Sequence, residues 1–348
     1  MNALKHKSPM KKAALLFSVS FSLSILSACS ESTIDITKAP TEQICVLREN
    51  LDLIGEPYSF AIADDRRFVV TDFTNVFLYS ANGEQIRQIG NAGRAPFEYL
   101  NPSCVKIYKD TIYVWSANSL KFISYTMEGT PVGEYPYESA IRNFLPTDEH
   151  IYVYTAGMRN DSVIDIYDKA SHEIIQSLRP TSDEHKLLSH LWADAPLYSS
   201  GTDIYYCTKD RLDVYDYNES SRGQKTIAQI KSDSFKVDKV SGYDAIVTDR
   251  KRRTTYLDEN SQTLTLFRQD GQLYLLTLEG DARLSEDTYD TSDRYFSLYS
   301  VSEQELVAQY NYDSIGNQAL FSSNADGLYF IKISDDEQHP YSLHKLIL

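Results

Sequence analysis

The sequence predicts an all-β protein assembled from six similar repeats, and three observations support this prediction. The chain contains 26 Tyr and 14 Phe but only 14 Gly, and few stretches have the periodicity of a long amphipathic helix. Aromatic and β-branched residues are typical of strands. A pair of apolar runs separated by a short polar stretch also recurs along the chain. The six copies comprise residues 67–72 and 76–79, 111–115 and 121–125, 150–154 and 163–167, 203–207 and 212–216, 272–276 and 295–299, and 327–331 and 341–345.

The spacing of these copies predicts a six-bladed β-propeller with four-stranded blades. The first runs follow one another at intervals of about 40 to 70 residues, the range expected when each copy is one blade. We expect the first run of each copy to be a buried strand near the central channel. The second run alternates between apolar and polar residues, so we expect it to lie half-buried farther out.

The two ends of the repeat region predict how the ring closes. The sixth copy is followed by too few residues to complete a blade, whereas the apolar segment 44–47 has no partner of its own. We therefore expect an N-terminal strand to supply the outer strand of the last blade and to remove an exposed sheet edge. The propeller domain is predicted to span residues 42–348. Residues 29–41, rich in Ser, Thr, Asp, Pro and Lys, are predicted to form a flexible linker.

The N-terminal segment is typical of an export signal. Four lysines lie among the first 12 residues, and the apolar stretch that follows, 13–25, is too short to remain across a bilayer. The stretch ends in Leu26-Ser27-Ala28-Cys29, which resembles the lipobox of bacterial lipoproteins. That resemblance implies that residues 1–28 are a signal peptide and that Cys29 is acylated, for example with palmitate. An ordinary secretory signal followed by a chance cysteine is the alternative.

Charge and cysteine content limit the partners of the chain. The formal net charge is -15, and removal of residues 1–28 takes away four lysines and makes it -19. Such a charge argues against nucleic acid and against electrostatic binding to an anionic membrane, so the lipid is the expected membrane anchor. Cys45, Cys104 and Cys207 remain, and they allow either one disulfide or buried free thiols.

A motif between the first two repeats resembles the inter-blade signature of NHL-type propellers. Within residues 90–102 the chain departs from that signature at Ala95 and Phe97, where glycines are preferred, and it matches at Gly90, Gly93, Pro96, Glu98, Tyr99 and Pro102. Together with the lipobox, the chain resembles the six-bladed NHL/TolB-like propeller lipoproteins of Bacteroidetes. The motif has a structural explanation as a turn between blades, with Arg94 and Glu98 holding it together. A role for Arg94 and Glu98 in ligand binding is the alternative.

The candidate functional residues lie in the long segments between repeats. The segments 90–101, 180–196 and 232–261 each lead from an outer strand to the next inner strand, so we expect them to meet around one mouth of the channel. The longest contains an unusual basic run that includes Arg250, Arg252 and Arg253. This run is a solvated helix or loop, a binding cluster for a carboxylate, a phosphate or an acidic sugar, or a contact with the acidic surface of the protein itself. His185 and His190 are expected to be solvated or turn-capping, and no metal or cofactor is predicted.

These observations favour a non-catalytic binding module over an enzyme. The chain contains no GxSxG, HExxH, P-loop or GxGxxG motif. The predicted function is binding of a saccharide, a peptide or an envelope protein, and the predicted place is the bacterial cell envelope, with the periplasmic face of the outer membrane favoured over the cell surface. A carboxylate-dependent hydrolase or lyase acting on a saccharide or peptide at the channel mouth is the alternative, because a pair of acids leaves no local motif. A structural subunit of an envelope assembly is a third interpretation.

Overall fold

The computed structural model describes residues 35–48, 55–155, 161–189, 195–285, 288–316, 319–333 and 340–348, and the side chains of 283–290 are not described. The chain begins with two strands, β1 (Ile36–Thr37) and β2 (Thr41–Val46). Blade 1 follows and comprises β3 (Ser59–Ile62), β4 (Phe68–Thr71), β5 (Val76–Tyr79) and β6 (Gln85–Gln88). A short parallel pair, β7 (Asn91–Ala92) and β8 (Glu98–Tyr99), leads out of this blade.

Blades 2 to 4 have the same antiparallel meander of four strands. Blade 2 comprises β9 (Pro102–Tyr108), β10 (Thr111–Ser116), β11 (Lys121–Thr126) and β12 (Pro131–Pro136). Blade 3 comprises β13 (Ile141–Pro146), β14 (His150–Thr155), β15 (Ser162–Asp168) and β16 (Glu173–Pro180) and is followed by helix α1 (Asp183–Leu188). Blade 4 comprises β17 (Leu197–Ser200), β18 (Asp203–Cys207), β19 (Asp213–Asn218) and β20 (Gly223–Gln229).

Helices and an extra hairpin accompany the last two blades. Helices α2 (Tyr243–Val247) and α3 (Arg250–Glu259) precede blade 5. Blade 5 comprises β21 (Gln262–Gln269), β22 (Gln272–Glu279), β25 (Tyr295–Ser300) and β26 (Glu305–Asn311), and the hairpin of β23 (Arg283–Ser285) and β24 (Thr288–Asp290) lies between its second and third strands. Helix α4 (Tyr312–Ile315) leads into β27 (Leu320–Asn324), β28 (Gly327–Ile333) and β29 (Tyr341–Leu346) of blade 6.

The six sheets form a closed ring, which confirms the predicted six-bladed propeller. The first strand of each blade contacts the first strand of the next blade, from β3 through β9, β13, β17 and β21 to β27, and β27 contacts β3 again. The first strands are therefore the innermost ones. Apolar clusters fill the spaces between neighbouring blades; one of them joins β28 and β29 of blade 6 to β3, β4 and β5 of blade 1.

The order of strands within each blade corrects one detail of the sequence prediction. The first apolar run of each copy is the second strand of its blade, and the true innermost strands were not recognised. Innermost strands such as β13 place polar residues, for example Arg142 and Asn143, within an otherwise apolar segment. The third strands are buried along both faces, as in β5 and β15, because each blade is covered by a neighbour on either side. Exposed residues are most frequent in outer strands such as β16.

The ring closes through the N-terminal strand, as predicted. Strand β2 pairs antiparallel with β29, with Thr41 opposite Leu346 and Val46 opposite Ser342, so blade 6 has the order β2-β29-β28-β27. The chain joins the ring earlier than the predicted end of the linker at residue 41. Strand β1 pairs parallel with β26, and Ala39 is only 3% exposed. This pairing covers the outer edge of blade 5, which would otherwise be an unprotected sheet edge.

The three described cysteines are buried free thiols in three different parts of the ring. Cys45 lies in β2, Cys104 in β9 and Cys207 in β18. Burial raises the pKa of Cys45 to about 11 and raises that of Cys207 well above its ordinary value. Cys45 and Cys207 are therefore held in the neutral, poorly nucleophilic form at neutral pH.

Candidate functional site

The two faces of the ring differ in the length of their connections. Because the strands of a blade are antiparallel, the connections between blades and those between second and third strands all lie on one face. This face carries α1, α2 and α3, together with the β23–β24 hairpin. We call it the helix-bearing face. The opposite face carries short turns, such as residues 109–110 and 270–271.

Helices α1, α2 and α3 pack on one another and form a cap on the helix-bearing face. Their shared apolar cluster contains Leu187 and Leu188 of α1 and Tyr256 and Leu257 of α3, with Tyr243 and other half-buried residues of α2 against it. The side chains of Ser182 and Asp249 cap the first turns of α1 and α3. The described parts of the segments 180–196 and 232–261 thus meet, as the blade topology predicts.

The basic run forms the first turn of α3, and its arginines differ in exposure and in their contacts. Arg250 and Arg252 are exposed, and Arg252 lies 3.5 Å from the carboxylate of Asp249. Arg253 is half-buried and donates from its guanidinium to the Val247 carbonyl, with a distance of 2.7 Å. Successive helical residues point about 100° apart, so the side chains cannot all face one ligand. Arg253 therefore joins α2 to α3, and Arg250 and Arg252 remain available at the surface.

Arg94 and Glu98 lie elsewhere on the same face. Their loop runs between blades 1 and 2, whereas α3 lies between blades 4 and 5, three blades away around the ring. Glu98 accepts a hydrogen bond from the Ala95 amide at 2.8 Å, and its carboxylate occupies the space where a Cβ on Gly93 would lie. Glu98 thus has the structural role in the turn that the motif suggested. Arg94 is exposed, and no described residue forms a hydrogen bond or an ion pair with it.

Phe97 stands where the NHL-type signature prefers a glycine, and hydrogen bonds to its backbone stabilise the conformation that this position requires. Phe97 adopts the left-handed conformation, with φ of 59°, that the preferred glycine would adopt more easily. Its amide donates to a Glu134 carboxylate oxygen at 2.6 Å, and its carbonyl accepts from the Tyr125 hydroxyl at 2.6 Å. Two hydrogen bonds from blade 2 therefore hold the strained turn.

A cavity of about 210 Å³ opens at the helix-bearing end of the channel, among blades 1 to 3. Arg142, at the start of β13, is half-buried there, and its buried Nε has no hydrogen-bond partner among the described residues. Burial lowers the pKa of Arg142, against a smaller opposing influence of the Tyr58 and Tyr243 hydroxyls. Because Tyr243 belongs to α2, the helical cap extends towards this cavity. The cavity lining includes Tyr58, Asn101, Ser103, Trp115, Ile141 and Arg142.

The sequence analysis does not identify Arg142, because this residue belongs to no motif and lies in an innermost strand that the apolar runs do not reveal.

The opposite end of the channel holds a larger cavity of about 570 Å³, lined by the first strands of all six blades and by charged residues of both signs, such as Asp64 and Lys106. The predicted lipidation residue Cys29 and the histidine His190 lie outside the described residues.

His185 corrects the expectation that it is solvated or caps a turn. The side chain is completely buried beneath α1, and its Nδ1 accepts a hydrogen bond from the Lys209 amide at 3.0 Å. Its Nε2 lies 3.4 Å from the Ser189 hydroxyl. Burial lowers the pKa of His185 to about 4, although the Asp210 carboxylate opposes this shift. The neutral imidazole therefore links the helical cap to blade 4.

Comparisons with known proteins agree with the propeller architecture. Residues 49–332 match the family DUF5128, described as a 6-bladed beta-propeller. A Bacteroides fragilis protein whose name marks it as exported is similar in structure, with a TM-score of 0.65 at 13% identity over 91% of this chain and 97% of that one. A member of the duf4221 family from Bacteroides vulgatus has a TM-score of 0.60 at 8% identity over 89% and 98% of the two chains. At such identities the likeness concerns the fold alone. No curated protein matches the chain.

Proposed function

The chain belongs to this family of six-bladed β-propellers, and from that premise we propose that it is a lipid-anchored envelope protein that binds a ligand or partner on its helix-bearing face without catalysing a reaction. The lipobox-like Leu26–Cys29 segment supports the anchor. The similarity to an exported Bacteroides protein is consistent with export. No helix among the described residues is long and apolar enough to cross a membrane.

The observation that carries this proposal is the concentration of recognition groups on one face of a rigid ring. The helical cap, the exposed Arg250 and Arg252, and the cavity around Arg142 all lie there. Loops and short helices on a rigid scaffold are where such folds place binding sites. Arginine remains protonated in proteins, so it recognises an anion and does not transfer protons. These groups therefore favour binding over catalysis.

Replacement of Cys29 is expected to detach the protein from the membrane. In the Cys29→Ala variant the acceptor thiol is absent, so we expect the exported protein in the soluble fraction. The buried Cys45 is the matched control, and Cys45→Ala should leave the protein in the membrane fraction. Fractionation and mass spectrometry of the wild-type N-terminus test this proposal. An unmodified Cys29 in the mature wild-type protein would show that the anchor is wrong.

Replacement of the two exposed arginines of α3 is expected to weaken binding without affecting the fold. Each exposed ion pair contributes up to about 1 kcal/mol, so Arg250→Ser with Arg252→Ser should lower affinity for an acidic partner by about tenfold at low salt. Arg253 is kept, because it holds α2 to α3. The melting temperature should stay nearly unchanged.

The measurement is a screen of acidic and neutral glycans and peptides at low and at moderate salt. A double variant with the same charge change on the opposite face, Arg66→Ser with Arg222→Ser, is the matched control and should bind like wild type. Hits that are independent of salt, or equal binding by both double variants, would mean that the basic turn of α3 is only a solvated surface.

A further inference from the structure

The cavity at the helix-bearing end of the channel contains a positive charge that no described residue neutralises. Among the described residues, no hydrogen bond or ion pair involves the Arg142 guanidinium, and its Nε is buried. A buried charge without a counterion is costly, because the protein interior does not replace the solvation that water provides. An anion bound in the cavity would offset this cost.

A second polar group in the same cavity also has no partner. The Oδ1 atom of Asn101 is buried and accepts no hydrogen bond from a described residue. Asn101 precedes β9 of blade 2, whereas Arg142 begins β13 of blade 3, so neighbouring blades present a donor group and an acceptor to one space. Buried acceptors are rarely left unsatisfied. The Asn101 oxygen is therefore free to accept a hydrogen bond from a hydroxyl or an N–H group of a ligand.

The residues that line the cavity indicate which functional groups the ligand should carry. A planar guanidinium matches a carboxylate through paired hydrogen bonds. An ammonium group as the donor to Asn101 would bring a second positive charge next to Arg142, so a hydroxyl donor is favoured. Tyr58 and Ile141 offer apolar surface to the carbon skeleton, and the volume of about 210 Å³ admits one small group.

We propose that this cavity binds the carboxylate and a neighbouring hydroxyl of a sugar acid, with Arg142 holding the carboxylate and Asn101 accepting from the hydroxyl. The assignment deepens the proposed function and rests on it, because it names the ligand class at the same face. The half-exposed Tyr243 of α2 lies close enough to Arg142 to influence its charge, so the helical cap would lie near the bound ligand.

The test is a titration of the whole mature protein with glucuronate, followed by NMR or calorimetry. Glucuronamide is the matched probe, because it has the same hydroxyls without the negative charge. We expect glucuronate to bind at least tenfold more tightly than glucuronamide. Arg142→Met should remove this difference, and Asn101→Asp, which adds a negative charge to the cavity, should abolish glucuronate binding. Arg222→Met on the opposite face should behave like wild type.

A thermal measurement separates recognition from a structural role of Arg142. Because the variant removes a half-buried charge that has no partner among the described residues, Arg142→Met should melt at the same temperature as the ligand-free wild type or above it. A marked fall in its melting temperature, equal affinity of wild type for both probes, or unchanged glucuronate binding by Arg142→Met would each overturn the assignment. Failure of the Arg250 and Arg252 variants to change partner binding would contradict the broader proposal only, since those residues lie outside this cavity.

Discussion

A chain that starts at residue 48 is expected to lose cooperative folding, whereas a chain that starts at residue 35 should fold like the mature protein. The shorter chain lacks β2, so the edge of β29 from Tyr341 to Leu346 loses its partner. It also lacks Leu47, which is 2% exposed and packs in the cluster that joins blade 6 to blade 1. Leu47→Ala alone should lower the free energy of unfolding by about 2–5 kcal/mol.

Truncation at residue 41 separates the contribution of β1 from that of β2. We expect a modest fall in the melting temperature, because the pairing of β1 with β26 and the burial of Ala39 are lost while the ring stays closed. This differs from the expectation for a flexible linker, whose removal would have no effect. Circular dichroism and calorimetry of the three chains provide the measurement. Equal stability of the chains that start at 35 and at 48 would rule out closure by β2.

The stability of the protein is expected to fall as the pH decreases from about 6.5 to about 4 because of His185. Its pKa is lowered by burial from 6.5 to about 4, so between these values the unfolded chain binds a proton that the folded chain does not. Acidification therefore favours unfolding. The difference between the unfolded and the folded pKa corresponds to a change of roughly 3 kcal/mol in the free energy of unfolding. About 2 kcal/mol of this change should be measurable between pH 7.5 and pH 5.0.

The local geometry explains why the folded protein resists this protonation. The Nδ1 atom of His185 accepts from the Lys209 amide, and a proton on that nitrogen would place two donors face to face. His185→Asn keeps an acceptor near the Nδ1 position but does not titrate, so its pH dependence should be smaller by about 2 kcal/mol. The exposed His172 is the control, and His172→Asn should retain the wild-type dependence. Urea unfolding at both pH values gives the comparison, and an unchanged slope for His185→Asn would contradict this account.

Hydrophobic patterning along the chain was sufficient to predict the architecture. Paired apolar runs identified the second and third strands of all six blades, because neighbouring blades cover both faces of these strands and most of their residues are buried. The missing partner of the sixth copy was sufficient to predict closure by β2, since an open edge is unfavourable in any ring. The first inference depends on patterns within short segments, and the second depends on comparing the two ends of the repeat region.

The candidate site depended on contacts that no local signal encodes. The basic run of α3 was visible in the sequence, but its division into exposed Arg250 and Arg252 and a half-buried Arg253 follows from the packing of α2 against α3. Likewise, His185 has the sequence context of a solvated histidine, and it becomes buried only because α1 packs against blade 4.

The chain by itself therefore determined the number of blades, the closing strand and the face with long connections, because each follows from periodicity and chain direction. Only the tertiary structure decided which charges lack partners. Arg142 lies near the start of β13 and belongs to no sequence motif. Its significance arises where Asn101 from another blade and Tyr243 from the helical cap come near it. The burial of a charge is a property of the assembled ring, since it depends on residues far apart in the sequence.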